Sequence, residues 1–170
     1  MKVFAQGRSS LSNFSVPMKL AFSFFILFIL LGLVSSVALY HQQFNFSTDR
    51  ASDYYQGNRG EKNVDQFHVK KSYRELLEVT HFHVFIMPVV YLALVHLYFL
   101  SSQPELEKNL MTILAFGGLL TEVAAPWLVR YGSEVWSYLF WGSGGAITVS
   151  TLWMSLVCYY CLWFADSSQG

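Results

Sequence analysis

Four long apolar stretches dominate the chain, separated by short polar ones. They run from about residue 18 to 40, 72 to 101, 109 to 130 and 137 to 164. Each reaches the ~20 residues a helix needs to cross ~30 Å of hydrocarbon. None alternates apolar and polar positions with a period of two, which excludes a lipid-spanning barrel. Lipid offers backbone groups no partners, so the spans must be helices. The expected fold is all-α: an integral membrane bundle of four transmembrane helices, up-down-up-down, in one domain covering residues 1–170. One connection, residues 41–71, is long, and the other two span only a few residues. No internal repeat is present.

Composition sharpens this class. The chain is 54% hydrophobic and 13% charged, about half the charge of a soluble domain. Eleven basic and eleven acidic residues leave no net charge and no basic face, so nucleic acid is not an expected partner. Two cysteines, Cys158 and Cys161, are too few for a disulfide framework. In the first span, Ser36-Val37-Ala38 imitates a signal-peptidase site. The apolar run from Leu20 nevertheless continues to Tyr40, so this span is expected to remain an uncleaved helix. Lys2, Arg8 and Lys19 before that helix point to an amino terminus inside. The opposite face holds more basic residues: Arg50, Arg59, Lys62, Lys70, Lys71, Arg74 and Arg130.

The long connection is not low-complexity. "STDRASDYYQGN" predicts a short surface helix, capped by Ser47 or Thr48 and stopped at Gly57. "NRGEKNVDQFHVKK" predicts irregular chain returning to the membrane. The second span then starts with a strong signal. Ser72-Tyr73-Arg74-Glu75 fits the S-x-x-E capping box, so Arg74, Glu78, His81 and His83 already lie on the helix. At about 100° per residue, Arg74, Glu78, His81, Phe85 and Pro88 share one stripe, and His83 points about 160° from His81. The two histidines of "HFH" therefore cannot chelate one small ion from a regular helix. In the third span, Glu122 shares a face with Ala115, Gly118 and Ala125. Small residues mark close helix contact, and an ionisable group at that depth must face the bundle interior.

These positions gather in one membrane half. It receives His41, His68, His81, His83, Glu122 and the glycines of "WGSGG", whereas the other half holds His96 and the cysteine pair. Three uses of the cluster follow. In an accessory subunit without catalysis of its own, Arg74, Glu78, His81 and Glu122 form a buried polar network that pins the second span to the third. In a haem b protein, His41 and either His81 or His83 supply axial imidazoles, Arg74 or Arg130 pairs with propionates, and glycines admit the flat ring. In a relay or metal site, Glu122 and His81 pass protons, or His41, His81 and His83, with His68, hold a transition metal. No hydrolase, phosphate-loop or metalloprotease motif is present. "CYYC" places its thiols on one face of an apolar helix end, where packing is the expected role.

Tyr55-Gln56-Gly57-Asn58, then "ELLEVTHFHVF", then "WLVRY" resemble a family of bacterial four-helix inner-membrane proteins with a Y-x-G-N loop and an E-L-x-x-x-T-H-x-H helix start. The resemblance spans about residues 18–164. It implies marked positions at Tyr55, Gly57, Asn58, Glu75, His81, His83, Trp127 and Arg130, and a multi-pass protein of the bacterial cytoplasmic membrane. It implies no particular activity. The layout is also similar to small membrane cytochromes b. The expected partners are membrane lipid and other membrane or periplasmic subunits, those of a redox or respiratory complex in particular.

Overall fold

The structure, a computed structural model, describes residues 11–58 and 67–165. Lys2, Arg8, Arg59 and Lys62, used above for orientation, lie outside the described residues, as does most of the expected irregular return. Five α-helices follow a 3-10 turn at Leu11–Asn13: α1 Val16–Phe44, α2 Thr48–Gln56, α3 Tyr73–Phe99, α4 Glu105–Tyr131 and α5 Tyr138–Trp163. A second 3-10 turn, Glu134–Ser137, leads into α5. No strand occurs among the described residues. α1, α3, α4 and α5 are each long and apolar enough to cross a membrane. The protein is thus a four-span helical membrane protein, with α2 lying across one end.

Local chemistry sets the boundaries. α1 overruns its expected end by one turn, and Asn45 then takes the left-handed conformation (φ 49°) that caps it. Phe46 follows at φ 53°, a costly conformation for a bulky residue. Its ring is held against Tyr40, His41 and Trp141 at centroid distances of 5.7, 5.2 and 5.9 Å. These two residues turn the chain sharply into α2, whose first amides are capped by Ser47. Gly57 ends α2 at φ 79°, and a Cβ there would lie 2.7 Å from the Lys70 amide nitrogen. At Ser72 the capping box forms in full: the hydroxyl accepts from the Glu75 amide, and the Glu75 carboxylate accepts from the Ser72 amide. The last carbonyls of α3 are covered by Lys108 of α4, whose ammonium donates to Phe99 and Ser101.

α5 is the central helix and packs against α1, α3 and α4. At the end away from α2, all four spans meet in one core. Tyr91, Leu94, Val95 and Tyr98 of α3 close on Ala115 and Leu119 of α4, Met154, Cys158 and Leu162 of α5, and Ile26 of α1. At the α2 end a smaller core joins Phe44, Ala51, Ala125, Val129 and Phe140. Gly118 lets α4 meet α5 closely: an added Cβ would come 2.9 Å from Ile147 Cγ1. The glycines of "WGSGG" act otherwise than packing predicts. Gly142, Gly144 and Gly145 have nothing within 4 Å of a Cβ position, and Ser143 among them makes the contact.

The ring of helices is not closed. α1 and α3 scarcely touch, although each packs on α5. On α1, every residue from Val34 to Leu39 is exposed, and on α3 every residue from Leu77 to Ile86 except Thr80. A helix packed into a bundle hides one face. These two stretches hide none, so each stands free of the bundle on all sides. The contrast holds for whole spans: 39% of the apolar window of the fourth span is buried, but only 6% of that of α1.

Candidate functional site

Glu122 is the centre of a polar group near the α2 end of the bundle. Its helix presents it to α5, where Ser143 Oγ donates to Glu122 Oε2. His83 of α3, Tyr40 of α1 and Tyr55 of α2 all lie close enough to interact electrostatically with the carboxylate. The Tyr40 hydroxyl is buried and has no hydrogen-bond partner among the described residues. Tyr55 is stacked face-on over Phe140 at 5.6 Å, and burial pushes its phenol well above the usual tyrosine range. His83 Nδ1 bonds the Val79 carbonyl, 2.9 Å away on its own helix. A carbonyl only accepts, so Nδ1 carries a proton, and in the neutral ring Nε2 is left as an acceptor. A carboxylate, an imidazole and three hydroxyls from five different helices thus converge.

The loop end of the molecule is firmly tied. The Gln56 amide donates to the Val129 carbonyl at 2.7 Å, and Arg130 Nε donates to the Lys71 carbonyl at 2.5 Å. The Asn58 side chain accepts from the His68 amide at 2.8 Å and so ties the end of α2 to the chain that leads into α3. Trp127 Nε1 donates to Thr80 Oγ1 at 2.8 Å, which ties α4 to α3. Rings of Tyr73, Trp127 and Tyr131 stack beside this bond, at 5.5 and 6.0 Å. Such aromatics mark the lipid headgroup level. Lys71 lies 4.4 Å over the Tyr54 ring and donates to Glu75 at 3.1 Å. Burial lowers its pKa, but the contacts with Glu75 and Tyr54 together outweigh this and leave the ammonium above its ordinary value.

The four-residue network of Arg74, Glu78, His81 and Glu122 is not assembled. Arg74 and Glu78 pair with each other at 2.9 Å on the exposed outer face of α3. His81 shares that face, and its ring rests on Phe85 at 4.9 Å. The physical reason is the roll of α3. The Thr80–Trp127 bond and buried Leu76 turn the helix so that His83 faces Glu122 and the 74/78/81 stripe faces outward. The three histidines expected as a metal or haem set therefore stand in three surroundings. His41 lines an apolar groove of about 460 Å³ between α1 and α5, with Val37, Phe46 and Thr148. His81 looks outward, and His83 lies beside Glu122. Among the described residues, no three His, Cys, Asp or Glu side chains converge as a metal-binding group. Arg130, expected near propionates, is committed to the Lys71 carbonyl and the Tyr131 ring.

Sequence reading missed a polar group in the other membrane half. Glu107 accepts from Tyr98 Oη at 2.5 Å and Trp153 Nε1 at 2.6 Å, which joins α3, α4 and α5. Tyr91 and Thr151 share a further bond of 2.5 Å. Tyr40 and Ser143 were missed as well, because aromatic and small polar residues are too common in membrane spans to stand out singly, and Tyr55 was marked only through the family resemblance.

A family model described as a transmembrane helical domain, Aq_1264_TM, matches residues 45–169. The chain belongs to this family of transmembrane helical domains. The match begins where α1 ends, so the matched region holds α2 to α5, Glu122 and Ser143 included. No curated protein and no solved structure matches the chain.

Proposed function

We propose that this protein is an accessory subunit of a bacterial inner-membrane complex of the respiratory or redox kind, without catalysis of its own. The observation that carries the reading is the outward stripe of α3. Arg74, Glu78 and His81 face away from the bundle, and His81 lies two turns inside a membrane-spanning helix. Ionisable groups within spans seldom face lipid; they pair with one another or with a neighbouring protein surface. The Arg74–Glu78 pair and the His81 ring offer such a surface, continued by exposed Phe85 and Leu92. The sparsely packed α1, outside the family-matched region, supports the reading as a second free flank.

The test is recovery of the tagged full-length chain from bacterial membranes in mild detergent. A stoichiometric larger complex is expected, and Glu78→Ala with His81→Ala should release it while the melting temperature of the isolated chain is kept. A chain that runs alone from native membranes overturns the reading. So does a haem b band in the reduced-minus-oxidised spectrum that His41→Ala and His81→Ala or His83→Ala abolish, which would assign the histidines to haem instead.

A further inference from the structure

Where α1 stands off α5, a groove of about 460 Å³ runs between them. That volume lies within the ~300–1,000 Å³ of ligand pockets. Leu33, Val37 and Ala38 of α1 form one wall, and Thr148 and Leu152 of α5 form the other. His41 and Phe46 lie at its mouth, and below them only Thr148 interrupts an apolar lining. The Phe46 ring sits between those of His41 and Trp141, at 5.2 and 5.9 Å. The left-handed backbone that puts it there is local strain of the kind that gathers at ligand sites.

The mouth offers donors. Trp127, Trp153 and Trp163 each donate the indole N–H to a side-chain acceptor. Trp141 Nε1 donates to no group among the described residues, and an indole can only donate. The His41 imidazole also has no hydrogen-bond partner among them, and it keeps at least one N–H in every protonation state. What completes the mouth must therefore accept.

Depth narrows the occupant. His41 lies three residues inside the end of α1, Trp141 three inside the start of α5, and Trp127 of the headgroup belt four inside the end of α4. All three are thus about 5 Å in, at 1.5 Å per residue. From His41 down to Leu33 is eight residues, about 12 Å. One leaflet of a ~30 Å hydrocarbon core is about 15 Å deep. Beneath Leu33 the groove closes: Leu30, Ile29 and Ile26 pack into the shared core, and Trp163 of α5 donates to Ser23 of α1 at 2.9 Å. A partner helix would cross both leaflets and finds room in only one. A chain anchored at the belt and ending at mid-membrane fits the whole length.

We propose that this groove holds one glycerophospholipid of the leaflet on the α2 side. Its phosphate accepts from Trp141 Nε1 and from the His41 ring at the belt, and one acyl chain fills the groove. The lipid supplies the packing that α1 lacks against α5 over this stretch. The site is independent of the subunit reading, and a chain that keeps the lipid yet runs alone loses only its partner.

The experiment uses the full chain, extracted from native membranes, exchanged into phospholipid-free detergent and weighed by native mass spectrometry. One adduct of phospholipid mass per chain is expected. After delipidation, titration with dioleoyl phosphatidylcholine should restore it, and Trp141→Phe should weaken that binding about tenfold, the size of a lost hydrogen bond to a charged group. Ala38→Trp fills the groove from an exposed position and removes no donor. It should abolish the adduct at an unchanged melting temperature in detergent, so the test survives if the Trp141 variant does not fold. The proposal is overturned if the wild type carries no adduct, or if Ala38→Trp keeps it in full, which would put the lipid elsewhere. It is also overturned if Trp141→Phe binds as tightly as wild type, or if the adduct is an amphiphile without phosphorus.

Discussion

Gly57 shows how much one position carries. It stops α2, adopts φ 79° and leaves no room for a Cβ against Lys70. Gly57→Ala should cost about 1–3 kcal/mol, read as a lower melting temperature in detergent. Lys71 makes a smaller, pH-dependent contribution. Its pKa is raised on folding, so its stabilisation is present below the ordinary value of 10.5 and is lost as pH rises through the raised value. Lys71→Met should therefore lower stability by at most about 1 kcal/mol near neutral pH, with the difference from wild type fading in strongly alkaline buffer. Glycine at the end of a short polar helix is a signal that sequence carries, and the stop at Gly57 was legible for that reason. The role of Tyr40 was not, since a tyrosine at a span end is ordinary until its hydroxyl is found buried and without a partner among the described residues.

At the scale of elements, the spans were read to within a few residues because their length follows from the hydrocarbon they cross. The second span shows both the reach and the boundary of that reading. Its capping box follows from four adjacent residues and forms as expected. Ser72→Ala should destabilise the start of α3 by about 1 kcal/mol, seen as faster amide exchange over its first turn. Which way its stripe faces depends instead on Thr80 meeting Trp127, residues 47 positions apart. Helical periodicity fixes which side chains share a face but not the roll of that face toward a neighbour. The expected pairing of His81 with Glu122 failed on this point, and His83 takes the place. On α4 the small face was legible, since close approach demands it. Gly118→Val should strain the α4–α5 contact by about 1–3 kcal/mol.

For the whole molecule, the spans form an open ring rather than a closed bundle. α5 is the hub, one end is a shared core, and the other splays around Glu122 beneath the α2 lid. This predicts an uneven chemical accessibility. Cys158 and Cys161 are buried free thiols in the shared core. They should resist maleimide in intact membranes and react only on unfolding, whereas a cysteine placed at Val34 should label readily with a membrane-permeant reagent. Equal labelling of both sites in the native state would contradict the described core.

The sequence alone determined that the chain crosses a membrane as four helices and, to within a few residues, where each begins and ends. All of that follows from local rules: hydropathy over about 20 residues, helical periodicity and capping chemistry. Only the tertiary structure decided that α1 and α3 stand apart, that the 74/78/81 stripe faces outward, and that Glu122 meets Ser143, His83 and two tyrosines. In lipid no hydrophobic force distinguishes one apolar helix face from another. The choice is made by small residues and a few hydrogen bonds between distant positions, and these come into contact only in the folded protein.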